Sequence, residues 1–189
     1  MRPGETLLML GAGGATGLAA VQLGRHLGAR VIASASSDDK RAMALANGPD
    51  AAIDARADNW REPVREANHG KPVDVVFDPV GGAVTEPAFR SLAWNGRHLV
   101  VSFTGGIASL RTNLALLKGS SLIGVDLRQY GVNEPQAAEA NMRESFKLAE
   151  LGAIRPMIAK RYPLEQIAEA MAAAVSGQSA GRIVLEMGS

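Results

Sequence analysis

No cysteine occurs among the 189 residues of the chain. Disulfides, thiolate nucleophiles and cysteine-ligated zinc are therefore excluded within it. Aromatic side chains make up 4%, too few for the stacking platforms that hold single-stranded nucleic acid. Charge of one sign is lacking as well. Lys and Arg number 20 against 19 Asp and Glu, a formal net charge of +1, so no basic field draws in a nucleic-acid backbone. The three histidines, His26, His69 and His98, fall at scattered positions without a metal-ligand spacing such as H-E-x-x-H, and no metal site is expected. The apolar runs are far shorter than the roughly 18 residues a membrane helix needs. The run within Met1 to Leu10 is too short for the core of a signal peptide. The expectation is a cytoplasmic protein with neither a nucleic-acid nor a membrane partner.

What is present is an alternation. Short apolar runs predict strands at Thr6 to Leu10, Arg30 to Ala35, Ala51 to Asp54, Val73 to Asp78, Arg97 to Ser102 and Ser121 to Val125. Helical spacing predicts helices at Thr16 to Leu27, Asp38 to Ala46, Asn59 to Ala67, Thr85 to Ser91 and Gln136 to Glu150. Near-continuous apolar strands separated by helices specify a parallel sheet covered on both faces. Right-handed crossovers then give an α/β, Rossmann-type doubly wound fold. After Gly152 the pattern changes to strand, helix, strand. The predicted division is residues 1–152 as one domain and 153–189 as a segment that packs elsewhere.

The stretch "GAGGATGLAA", Gly11 to Ala20, joins the first strand to the first helix. The first amides of a helix have no partner within it, and the macrodipole adds partial positive charge there. Phosphate fits such a place. The frame Ala12-x-Gly14-x-x-Gly17 is an Ala-first variant of the dinucleotide fingerprint G-x-G-x-x-G/A. In it Gly14 faces a pyrophosphate and Gly17 allows close helix packing. The phosphate loop ending in Gly-Lys-Ser/Thr is absent. The second strand ends in "ASASSDDKR", with Ser34 and Ser36 where an NAD site places an acid. Hydroxyls there, with the cation of Lys40, favour a 2′-phosphate and hence NADP(H). Asp78 ends a buried strand and is read as an acceptor that fixes a loop. Tyr130 and Tyr162 lack a Lys four residues on, and no G-x-S-x-G elbow occurs.

Together with "VDVVFDPVGG", "GRHLVVSFTGG", "LLKGSSLIGVDL" and the closing "GRIVLEM", the Gly11 to Asp54 region resembles the quinone oxidoreductase branch of the medium-chain dehydrogenase/reductase superfamily. The resemblance implies an NADPH-binding domain of a zinc-independent oxidoreductase. It would pass hydride to a quinone or another activated C=C or C=O acceptor, a small molecule. It implies that a GroES-like catalytic domain precedes the Pro3 to Thr6 junction, with residues 153–189 returning to it, so the catalytic residues stay unassigned here. Ala12, Gly14, Ala15, Thr16 and Gly17 match the family's pyrophosphate turn, although the family usually has Gly-Val at Ala15-Thr16. Ser34, Ser36 and Lys40 match its 2′-phosphate pocket, while Ala55 replaces a frequent Tyr. Val80 and Gly81, and Phe103 and Thr104, lie in loops that match those along the cofactor. The sixth strand matches an edge that pairs with a second copy in a homodimer. Two alternatives stand beside this reading: an enoyl-thioester reductase domain, and a nucleotide-binding module without turnover.

Overall fold

The computed structural model describes residues 1–177, 179 and 181–187. Six strands, β1 (Thr6–Met9), β2 (Arg30–Ala35), β3 (Ala51–Asp54), β4 (Val73–Asp78), β5 (Leu92–Val100) and β6 (Ser121–Gly124), form one sheet. Their order is β3-β2-β1-β4-β5-β6, and every neighbouring pair is parallel. This is the doubly wound order, with its topological switch between β1 and β4.

The sheet is apolar on both faces because both are covered. Helices α1 (Ala15–His26) and α2 (Asp38–Ala46) lie on one face. There Leu18, Val21 and Ala44 pack on Leu7, Met9, Val31 and Ala33. Helices α3 (Arg61–Ala67), α4 (Thr85–Arg90) and α5 (Asn113–Lys118) take the other. There Val64, Ala88, Phe89 and Leu114 pack on Leu8, Ile32 and Val76. Alternate residues of one strand therefore belong to different cores, which explains the unbroken apolar runs.

Two departures from the sequence reading have local causes. Strand β5 begins at Leu92, not Arg97. Its pairing jumps from Val73–Leu92 to Val75–Arg97, and Asn95 takes a φ of 60°. A bulge thus passes through a stretch whose Asn-Gly resembles a turn. Helix α5 and helix α6 (Leu127–Asn133) were not expected, being too short for a clear period. Asp126 starts α6 by accepting from the amides of Arg128 and Gln129. Helix α7 (Pro135–Glu150) follows as the sequence indicates. It ends at Gly152, φ 71°, where the Ala153 amide reaches back to the Leu148 carbonyl.

Beyond that stop, β7 (Ile158–Pro163), α8 (Ile167–Val175) and β8 (Arg182–Glu186) form a separate parallel two-stranded unit. It touches the main body near α1 and α2. The Gln22 amide both donates to the Arg155 carbonyl, at 3.0 Å, and accepts from the Arg155 N–H, at 2.6 Å. Lys40 donates to the Gly177 carbonyl at 2.7 Å. Among the described residues no helix is long and apolar enough to cross a membrane.

Candidate functional site

The turn between β1 and α1 is held from inside. Its Ala12 amide bonds the Ser34 carbonyl of β2 at 2.9 Å, and Gly14 donates to the Gly11 carbonyl. The first bond back along the helix is Leu18 N–H to the Gly14 carbonyl. The amides of Ala15, Thr16 and Gly17 precede it and open at the helix mouth. A Cβ at Gly17 would lie 2.4 Å from the Gly11 carbonyl oxygen and 2.7 Å from Ala12 Cα. Only glycine fits there. The close approach is to the turn itself. At Gly14 the situation is reversed. A Cβ would meet nothing closer than the Gly11 carbonyl oxygen at 3.6 Å, so the space above it is open.

A cleft of about 160 Å³ runs from this turn to the carboxyl end of β2. It brings together Gly14, Ser34, Ser36, Lys40 and Val80 of the expected residues. Among the described residues no carboxylate lines it. Two of the nearby acids are engaged elsewhere: Arg41 pairs with Asp38 and with Asp54. Ser37 caps α2 through the Lys40 amide, which aims the Lys40 side chain back over the turn. A Cβ at Gly13 would come within 2.6 Å of Lys40 Cβ, so the lysine stem lies against this glycine.

Other expected residues sit around the cleft. Ala12 is buried beneath the turn, as is Gly17. Ala15 and Thr16 stand at the helix mouth, and Ala15 lines two adjoining cavities. Gly81 is buried, whereas Phe103 is 66% exposed and Thr104 is also exposed. Gly11, Gly13, Trp60 and Val84 also line the cleft and were not singled out. A second reading of the four-glycine run would have found the glycines. Trp60 caps the start of α3 and Val84 lies in the turn before α4, and nothing local marks them.

The loops after β4 and β5 are locked together. Asp78 Oδ1 accepts from the Val80 and Gly81 amides at 2.9 and 2.8 Å. Its Oδ2 accepts from the Thr85 hydroxyl at 2.7 Å and from His98 Nε2 at 3.0 Å. Burial pushes the carboxyl pKa up, but these four donors outweigh it and hold the group below its ordinary value. His98 is fully buried, and its Nδ1 has no hydrogen-bond partner. The Asp78 contact therefore fixes the tautomer with the proton on Nε2. The Gly105 amide donates to the Val80 carbonyl at 2.6 Å, and Thr104 donates to the Pro79 carbonyl. A Cβ at Gly81 would lie 2.5 Å from the Gly106 carbonyl oxygen. Among the described residues no group of three His, Cys, Asp or Glu is placed to hold a metal ion.

Comparison with known proteins identifies the family. The family described as zinc-binding dehydrogenase matches residues 15–144. Quinone oxidoreductase-like protein 2 of Bos taurus is 35% identical over 98% of the chain, covering 54% of its own length. Quinone oxidoreductase of Homo sapiens is 28% identical over 98% of the chain and 55% of its own. Among solved structures, mycobacterial Rv1454c complexed with NADPH superposes with a TM-score of 0.88 at 25% identity. That match covers 99% of this chain and 58% of the other. The chain belongs to the zinc-binding dehydrogenase family, within the quinone oxidoreductase branch of the medium-chain dehydrogenase/reductase superfamily, as its cofactor-binding domain. It spans about half the length of the curated relatives it matches.

Asp78 is the residue whose loss this geometry makes most damaging. Asp78→Ala leaves four donors without an acceptor and should cost about 3 kcal/mol or more in urea denaturation. Its folded pKa lies below the unfolded value of about 3.9. Its contribution is therefore full above that value and is lost as pH falls through the lower folded one. Urea midpoints measured from pH 7 to 3 should show this acid loss in the wild type and a flatter profile in Asp78→Asn.

Proposed function

We propose that this chain is the NADPH-binding half of an oxidoreductase that reduces a quinone or a similar activated acceptor, without zinc. The observation that carries the reading is the carboxylate-free cleft, which joins the mouth of α1 to Ser34, Ser36 and Lys40. The residues fit the cofactor. Among the described residues none fills the space above Gly14, which leaves backbone exposed for a diphosphate beside the amides of Ala15, Thr16 and Gly17. Ser36 and Lys40 offer a hydroxyl and an ammonium to a 2′-phosphate, where an acid would repel it. Trp60 and Val84 supply an apolar wall. The remainder would extend along Val80, Gly81, Phe103 and Thr104, at the carboxyl ends of β4 and β5, where open α/β sheets bind ligands. NADPH, when bound, supplies a hydride; the protein orients it and excludes water. The likeness to relatives named quinone oxidoreductase supports the acceptor class. Residues 153–189 belong, in this reading, with a second domain that completes the acceptor site.

Titration of the chain with NADPH and with NADH is the direct test. NADPH should bind more tightly. Lys40→Ala should weaken NADPH by about tenfold, roughly one charged hydrogen bond, and leave NADH unchanged. Equal affinities for the two nucleotides would remove the 2′-phosphate assignment. Joined to a GroES-like catalytic half, the chain should oxidise NADPH with quinones. Absence of turnover with any quinone or enone would overturn the acceptor class.

Strand β6 extends the proposal to a second copy. All four of its residues are exposed, Leu122 at 50% and Ile123 at 39%, and such an edge is a template for pairing. Sedimentation should show a dimer that Ile123→Pro dissociates; an unchanged sedimentation coefficient would rule this edge out.

A further inference from the structure

At the opposite, amino-terminal end of the sheet lies a larger cleft of about 470 Å³. It shares no lining residue with the cleft at the glycine turn. Among the described residues Arg61, Arg65, Lys71, Arg90 and Lys118 line it, with Glu62 as the one carboxylate. Arg90 is answered by Glu86, at 2.9 Å. Among the described residues Arg61, Arg65, Lys71 and Lys118 have no carboxylate within ion-pair distance.

Their polar contacts are to backbone carbonyls. Arg61 donates to the Arg90 carbonyl at 3.3 Å, Arg65 to Gly70 at 3.3 Å and Lys118 to Leu92 at 2.6 Å. Each is thereby held in place with donors to spare, since a guanidinium has five and an ammonium three. Cations near the carboxyl ends of helices are ordinary, because they complement the macrodipole. That accounts for Arg65, Arg90 and Lys118, in the last turns of α3, α4 and α5. It does not account for Lys71 on a loop. It runs against Arg61, the first residue of α3, where the macrodipole disfavours a cation. Burial, and then the nearby charges of Arg61 and Arg90, push the Lys118 pKa down. Among the described residues the cluster thus brings five cations together with Glu62 as the one carboxylate of its lining, and none of Arg61, Arg65, Lys71 and Lys118 is ion-paired.

We propose that this cleft binds a compact polyanion: a short polyphosphate or a multiply phosphorylated small molecule. The geometry favours such a ligand over nucleic acid. The cleft is concave and local, no aromatic side chain lines it for base stacking, and the chain's net charge of +1 provides no extended basic surface. Several phosphate oxygens on one small body can meet forked guanidiniums from α3 and ammoniums from Lys71 and Lys118 at once.

Calorimetric titration of the chain with tripolyphosphate tests this. Binding should appear at low ionic strength and weaken with salt. Arg61→Ser combined with Arg65→Ser should lose about tenfold or more in affinity, with folding checked by thermal melting. Lys71→Ser, a change on an exposed loop, should lose about threefold and serves if the double variant does not fold. Arg128→Ser, on an exposed residue that lines neither cleft, should bind as the wild type does. No binding at about 10 mM, a millimolar ceiling worth only about 3 kcal/mol, would overturn the proposal. So would binding that survives the cleft variants or is lost in Arg128→Ser. Tighter binding of an oligothymidylate than of tripolyphosphate would overturn the choice of a small ligand.

Discussion

The approach of α1 to its own turn governs the rest of the structure. With no side chain at Gly17, the helix starts against the Gly11 carbonyl and Ala12. That contact sets where the first free amides stand and how deep the cleft beside them becomes. It also fixes Ala12 against β2 through the Ser34 carbonyl, so turn and second strand keep one spacing. A side chain at this position would push the helix outward and move the amides away from the cleft together.

The loops after β4 and β5 solve a similar problem by other means. One buried carboxylate, Asp78, gathers two backbone amides, a hydroxyl and an imidazole. Glycines 81 and 105 then let the two loops meet backbone to backbone. Both devices act at the carboxyl ends of the strands, beside the switch between β1 and β4. Both therefore lie where open α/β sheets bind ligands.

Most of the architecture was legible in the sequence, because a covered parallel sheet leaves unbroken apolar runs that few other elements mimic. The glycine turn was legible for the same reason: its position between strand and helix gives its meaning. What escaped was non-local or short. The bulge at Asn95 looks like a turn until Val73 and Val75 supply its partners. Helices α5 and α6 are too brief to show a period. Trp60 and Val84 reach the cleft from elements distant in the chain, and no pattern near them signals it. The role of Asp78 was readable from the end of its strand, but its pairing with His98 was not, since that contact spans 20 residues and two strands.

The bond between Lys40 and Gly177 gives the carboxyl-terminal unit a bearing on the glycine turn. A free lysine samples many rotamers, and fixing it on a ligand costs up to about 2 kcal/mol of side-chain entropy. Here the stem already rests on Gly13 and the head on a carbonyl more than a hundred residues away, with two N–H donors left over. If Lys40 meets the cofactor as proposed, the segment after α7 therefore preorganises a charge that it does not itself carry. Trimming the chain before Gly177 would leave every cleft residue in place, yet release that lysine to wander.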